Sequence, residues 1–231
     1  PGKPLADIQG KPMIQWVYER TSRAELVDQV IVATDDERIE QAVQSFGGNV
    51  RMTPADCASG SDRAAVVAAD LSSDIVLNVQ GDEPLVKPQA VDLLVQTLAD
   101  DKEADMATLV YQASEVQELE NPNTVRVVFD CHYRALYFSR SVIPYARDIP
   151  ERSDWLNVYP YYIQIGMYAY RHKFLLNYKH LKESKLEHVE KLEQLRALEN
   201  GYTIKIGVGD FKPICVDVPD DLERVNNELK S

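Results

Sequence analysis

Ile75-Val76-Leu77-Asn78-Val79-Gln80 (IVLNVQ), running straight into Gly81-Asp82-Glu83-Pro84, is the stretch whose reading decides the fold. A short apolar run closed by a glycine and a proline reads as a buried strand followed by a turn. The segment Pro88 to Leu98 follows, with Val91, Leu94, Val95 and Leu98 spaced for one helix face. Upstream the same alternation recurs. Gln29–Ala33 reads as a strand, and Glu37–Phe46 as a helix stopped by Gly47-Gly48. Asn49–Met52 reads as a strand, Asp62–Leu71 as a helix and Met106–Tyr111 as a further strand. Strands alternating with helices predict an α/β fold with a mostly parallel sheet and helices on both faces. Ligands in such sheets bind beyond the carboxyl ends of the strands, which singles out Thr34-Asp35 and Gln80-Gly81-Asp82.

The pattern changes near Val125. Val125–Asp130, Ala135–Phe138 and Ile163–Tyr170 read as strands around an aromatic-rich irregular segment from Tyr145 to Tyr162. A helix over Leu186–Asn200, a strand over Thr203–Val208 and a helix over Pro219–Leu229 complete the reading. Residues 1–231 are expected to form one domain, in which about residues 125–185 make a smaller region covering the sheet. The opening Pro1-Gly2-Lys3-Pro4-Leu5 reads as the exit of a loop.

The composition narrows the function. The chain has 231 residues, 45% hydrophobic content and a net charge of −12. That charge argues against nonspecific nucleic-acid or membrane-surface binding, while leaving room for a phosphate substrate in a cleft with its own cations. No apolar run approaches the ~20 residues of a membrane span. Cys57, Cys131 and Cys215 fit no metal spacing and match a reducing, cytoplasmic setting. His132, His172, His180 and His188 form no zinc pattern.

Individual residues leave alternatives open. Asp82 at a strand's carboxyl end suits a hard cation such as Mg²⁺, or caps the next helix. Asp217, in Val216-Asp217-Val218-Pro219-Asp220, is likewise a ligand or a cap. Ser59-Gly60-Ser61-Asp62-Arg63 offers amides for a base edge or phosphate and a cation in Arg63, or simply caps a helix.

The ordered set of motifs is more specific than any member. Gly10-Lys11-Pro12-Met13-Ile14, Val32-Ala33-Thr34-Asp35, Ser59-Gly60-Ser61-Asp62-Arg63 and Val79-Gln80-Gly81-Asp82-Glu83-Pro84 follow Pro1–Leu5 in turn. Ala135-Leu136-Tyr137-Phe138-Ser139-Arg140, Ile143-Pro144-Tyr145, Leu192-Glu193-Gln194-Leu195-Arg196 and the Asp217 segment complete it. Across nearly the whole chain this order resembles the 3-deoxy-manno-octulosonate cytidylyltransferases, or CMP-Kdo synthetases. The resemblance implies a Rossmann-like nucleotidyltransferase fold and a homodimer built by the second region. It also implies the reaction of CTP with 3-deoxy-manno-octulosonate (Kdo) to CMP-Kdo and pyrophosphate, for lipopolysaccharide or capsule synthesis. It further implies Mg²⁺ on Asp82 and Asp217, Lys3 on the triphosphate, and Ser59, Ser61 and Arg63 at the cytidine, with Gln80 near both substrates. Arg147, Gln164, Tyr168, Glu193 and Gln194 would grip the sugar acid. No covalent intermediate is expected, and no general base is legible.

Two departures bear on this. The family begins with a strand and a Pro-Ala-Arg phosphate loop, which are expected to be missing before residue 1. Gln164 stands where the family usually has a His that touches the sugar, and Cys57 where it often has another. Gln164 either contacts the sugar or only satisfies backbone groups at a strand end. The alternatives are therefore the same chemistry on 8-amino-3,8-dideoxy-manno-octulosonate or another ulosonate, or a non-catalytic nucleotide-sugar-binding protein.

Overall fold

The computed structural model describes residues 2–57, 59–214, 216 and 219–229. After a 3₁₀ turn at Lys3–Leu5 come β1 (Asp7–Ile8), β2 (Lys11–Pro12) and α1 (Met13–Thr21). The expected alternation then appears as β3 (Val32–Thr34), α2 (Glu37–Ser45), β4 (Val50–Met52), α3 (Gly60–Ala68), β5 (Ile75–Asn78), α4 (Pro88–Asp100) and β6 (Met106–Gln112). The second region runs through α5 (Val116–Glu120), β7 (Arg126–Phe129), β8 (Ala135–Ser139), α6 (Trp155–Val158), β9 (Tyr162–Arg171) and α7 (His172–Tyr178). It continues through α8 (Lys185–Glu190), α9 (Gln194–Glu199), β10 (Ile204–Val208) and α10 (Pro219–Glu228).

Local chemistry accounts for the helix starts. The Asp36 side chain accepts from the Arg38 N–H and opens α2, while Ser59 accepts from the Asp62 N–H and opens α3. Pro88 begins α4, where it forfeits no helical hydrogen bond, and Ala90, Val91, Leu94 and Leu98 form its buried face.

The main sheet runs β10-β6-β9-β7-β8, with β5 also paired to β9. Strands β5, β6 and β7 are each antiparallel to β9, and β10 is parallel to β6. Strands β5, β6, β7 and β10 thus point one way; of these, β5 and β6 belong to the predicted alternation and share a direction without pairing. Direct parallel pairing among the described residues is confined to β10 with β6 and β3 with β4, because β9 returns from the second region and inserts between β5 and β6. This insertion also corrects the reading of residues 75–80. Strand β5 ends at Asn78 and is only half-buried, whereas β6, flanked on both edges, is buried from Met106 to Tyr111.

Side chains alternate across β6 into two cores. Ala107 and Leu109 pack with Val91, Leu94 and Leu98 of α4, and Met106 and Val110 pack with Ala65, Phe174, Leu175 and Leu195 on the opposite face. The expected helix over Leu186–Asn200 is broken. Lys191 adopts a left-handed φ of 56°, so α8 stops there and α9 starts anew at Gln194. Tertiary contacts hold the break. Glu190 accepts hydrogen bonds from Ser139 and the Arg140 N–H of β8 and its exit, while the Arg140 guanidinium donates to the carbonyls of Glu190 and Lys191. Helices α1, α5, α6 and α7 are additional to those the sequence predicts. Helix α1 has no side-chain cap, α5 and α6 are only five and four residues long, and α7 follows β9 without an intervening turn.

Candidate active site

Strand β5 ends in the half-buried loop Val79-Gln80-Gly81-Asp82, which opens toward Lys3. The Lys3 Nζ lies 2.8 Å from Asp82 Oδ2, and both side chains keep about a third of their surface exposed (37% and 33%). Asp82 does not cap α4, whose N-cap is Lys87, so the capping alternative is not realised. The Val216 N–H donates to the Asp82 carbonyl at 3.1 Å. Asp217 itself lies outside the described residues. The donor chemistry fits Mg²⁺: a partly exposed carboxylate at a strand end is the hard oxygen ligand this ion shares with substrate phosphates. Among the described residues no group of three or more His, Cys, Asp or Glu side chains forms a ready-made metal cage.

The Ser59–Arg63 turn adjoins this loop. A Cβ at Gly60 would lie 2.9 Å from the Asn78 amide nitrogen, so glycine lets α3 start against the end of β5. Ser61 is fully buried, and its hydroxyl lies 2.6 Å from that of Tyr170. Arg63 is not a free anion hook: it hydrogen-bonds Thr53 and pairs with Asp35 at 3.3 Å, bridging the ends of β3 and β4. Glu193, expected at the sugar, sits against this turn. Burial raises its pKa, hydrogen bonds from Ser61 and Ser59 oppose that rise, and the Asp62 charge adds to it. Burial, then the nearby Glu193 charge, likewise push the Tyr170 phenol well above its ordinary value. Three buried polar atoms here carry no hydrogen-bond partner: Asn78 Nδ2, Asp62 Oδ1 and Glu193 Oε2. Unpaired buried groups are rare in folded proteins, and a cluster of them calls for a polar partner such as an ordered water or a ligand.

A third group lies deeper on the same face of β9. Tyr168 donates to Gln194 Oε1 at 3.0 Å, and Gln194 Nε2 donates to Gln164 Oε1 at 2.7 Å. The structure thus joins three of the expected sugar residues, with exposures of 7%, 1% and 9% for Tyr168, Gln194 and Gln164. Gln80 lines the same region, 3.9 Å from a Cβ placed on Gly166 of β9. Arg147 stays outside the cluster: it is 90% exposed, and its ion-pair partner is the adjacent Asp148. Thr108, Asn78 and Tyr170, which the sequence did not single out, touch Gln164, the Gly60 position and Ser61 respectively. For Thr108 and Asn78 a signal existed, since each is a lone polar residue inside an apolar strand.

Among solved structures of low identity, a glucose-1-phosphate thymidylyltransferase from Bacillus anthracis shares the fold, with a TM-score of 0.65 at 15% identity over 99% of this chain and 87% of that one. That likeness shows the fold; the family match and the relatives that follow define the class, a nucleotidyltransferase. The family model for Cytidylyltransferase matches residues 1–206. The 3-deoxy-manno-octulosonate cytidylyltransferase of Geotalea uraniireducens (strain Rf4) is 49% identical over 233 residues, covering 99% of this chain and 93% of that protein. An 8-amino-3,8-dideoxy-manno-octulosonate cytidylyltransferase of Shewanella amazonensis is 48% identical, covering 100% and 93%. A solved CMP:2-keto-3-deoxy-manno-octonic acid synthetase complexed with CTP superposes with a TM-score of 0.92 at 44% identity, over 100% of this chain and 92% of that one. The chain belongs to the 3-deoxy-manno-octulosonate cytidylyltransferase family. No helix among the described residues is long and apolar enough to cross a membrane.

Proposed function

We propose that this protein transfers CMP from CTP to Kdo, giving CMP-Kdo and pyrophosphate. The observation that carries the reading is the full-length superposition on a synthetase complexed with CTP. In this reaction the sugar's anomeric hydroxyl oxygen bonds to the α-phosphorus, the bond to the β-phosphate bridging oxygen breaks, and the hydroxyl proton is released. The protein's part is positioning and charge stabilisation. Lys3 faces the triphosphate and offsets its charge. The Ser59–Ser61 turn, with the Asn78 amide, receives the cytidine, and buried polar groups left unpaired by another base reject it. Gln164, Gln194 and Tyr168 hold the sugar acid, with Glu193 between the two substrates. Asp82 and Asp217 would hold Mg²⁺, which when bound neutralises phosphate charge and lowers the pKa of a coordinated hydroxyl. The protein acts in the cytoplasm as a homodimer. The dimer reading rests on the apolar side chains Tyr133, Leu136 and Tyr145, exposed by 49%, 63% and 73% around the sheet-edge strand β8.

Pyrophosphate release by the purified protein with Mg²⁺, CTP and Kdo tests the proposal, with UTP, ATP and GTP as alternative donors. Absence of turnover would favour a non-catalytic binding protein, and equal turnover with ATP would contradict the cytidine site. Asp82→Asn is expected to lower kcat at least about a hundredfold while the protein stays folded. The Shewanella amazonensis relative, named for the 8-amino sugar, makes that sugar the second reading, and a substrate panel separates the two.

A further inference from the structure

The buried face shared by β6 and β9 contains a directional hydrogen-bond chain whose last member is Thr108. Gln164 Nε2 donates to Thr108 Oγ1 at 3.2 Å, and Thr108 in turn donates to the main-chain carbonyl of Met167 at 2.8 Å, with that of Ile165 at 3.2 Å. These carbonyls are available because β9 bulges. Thr108 is opposite Tyr168 but Leu109 is opposite Ile165, so Gly166 and Met167 have no facing residue on β6. Thr108 is fully buried, so water does not replace its hydroxyl there.

Donor and acceptor capacities then propagate in one direction. A carbonyl only accepts, so Thr108 must donate its single proton to the bulge. It can meet Gln164 only as an acceptor, which turns the Gln164 amide nitrogen toward Thr108 and its oxygen toward Gln194. Gln194 must then present nitrogen to Gln164 and oxygen to Tyr168, whose hydroxyl is obliged to donate. Each amide oxygen is already engaged, and the Gln164 amide also hydrogen-bonds the Tyr168 hydroxyl.

We propose that Thr108 is a positioning residue for the acidic sugar, fixing the donor–acceptor polarity of the Gln164–Gln194–Tyr168 network from the β9 bulge. The inference rests on the reading that this network binds the sugar. Thr108 does not touch the substrate. Without its hydroxyl the Gln164 amide loses its reference and turns over, and two arrangements of the network compete where one existed.

Steady-state kinetics of Thr108→Val and Thr108→Ser, with both KM values and a thermal melt, test it. Valine keeps the shape and removes the hydroxyl. The expected result is a rise of about tenfold in sugar KM, the effect of one misaligned buried hydrogen bond, with CTP KM held within about twofold. Thr108→Ser, which keeps the hydroxyl, is expected to restore sugar KM. Three results would overturn the proposal: an unchanged sugar KM in Thr108→Val, an equal rise in both KM values, or a serine variant no better than the valine. If Thr108→Val does not fold, Thr108→Cys, with a much weaker donor of similar size, must show the same sugar-specific rise, and an unchanged value overturns the proposal. Tyr168→Phe separates the two levels. If it leaves sugar KM unchanged, the sugar-site reading fails and the inference with it. If it raises sugar KM while Thr108→Val is silent, only the polarity inference fails.

Discussion

Glu190→Gln is expected to destabilise the protein and weaken sugar use together, because Glu190 holds the break between α8 and α9. Its carboxylate accepts from the Ser139 hydroxyl at 2.7 Å and the Tyr137 hydroxyl at 3.4 Å on one oxygen, and from the Arg140 N–H at 2.9 Å on the other. Glutamine keeps the shape but offers one acceptor and one donor. With the amide oxygen toward the Arg140 N–H, the NH₂ faces the Ser139 and Tyr137 hydroxyls, which must turn from donating to accepting, and every bond loses the carboxylate's charge. A hydrogen bond to a charged group is worth about 1.5–3 kcal/mol, and partial exposure places the net loss near 2 kcal/mol. For a domain of this size that is a fall of about 4–8 °C in Tm, read by circular dichroism near neutral pH. Glu193 and Gln194 follow Glu190 by three and four residues, so a several-fold rise in sugar KM should accompany the loss. The pH dependence has a definite sign. Burial alone would raise the Glu190 pKa, but hydrogen bonds from Ser139, Arg140 and Tyr137 and the Arg140 charge outweigh it and hold the carboxyl below its usual range. A depressed folded pKa contributes stability above the unfolded value, and that contribution disappears as pH falls through the folded one. The Tm gap between wild type and variant should therefore close on acidification below the ordinary Glu range. A Tm within about 1 °C of wild type near neutral pH, with sugar KM unchanged, would refute the reasoning.

Three further outcomes are expected. Leu94→Ala, at a fully buried position on α4, should cost about 3–4 kcal/mol in denaturant unfolding, and a loss below about 1 kcal/mol would mean that the core closes over the gap. Gly60→Ala places a Cβ 2.9 Å from the Asn78 amide. The gain in helix propensity, about 1 kcal/mol at most, should leave Tm near wild type while CTP KM rises several-fold, and an unchanged CTP KM would separate the turn from nucleotide binding. Gln164→His should change the ratio of kcat/KM for Kdo to that for its 8-amino analogue, since imidazole can carry a charge that the amide cannot. An unchanged ratio would remove Gln164 from sugar selection.

By itself the sequence determined the alternation from β3 to β6, the starts of α2 and α4, the strand-end position of Asp82, and the family. These depend on local information: apolar spacing, capping residues, glycine and proline stops, and motifs in a fixed order. It also named Gln164, Tyr168 and Gln194 through resemblance, and the structure joins them. Other features depend on contacts distant in the chain, and only the tertiary structure decided them. The period of residues 186–200 is helical throughout, yet β8 breaks the helix through Glu190 and Arg140, 50 positions apart. The run at residues 75–80 looks like a central strand, but β9 decides which strand is flanked on both edges. Arg63, legible as an anion hook, is engaged by Asp35, 28 positions earlier. Thr108 is a single polar residue in an apolar strand until the bulge of β9 brings two carbonyls and the Gln164 amide to its hydroxyl, 56 positions away in the chain. Periodicity records which face a residue occupies, whereas hydrogen-bond direction depends on which atoms packing brings within 3 Å of one another.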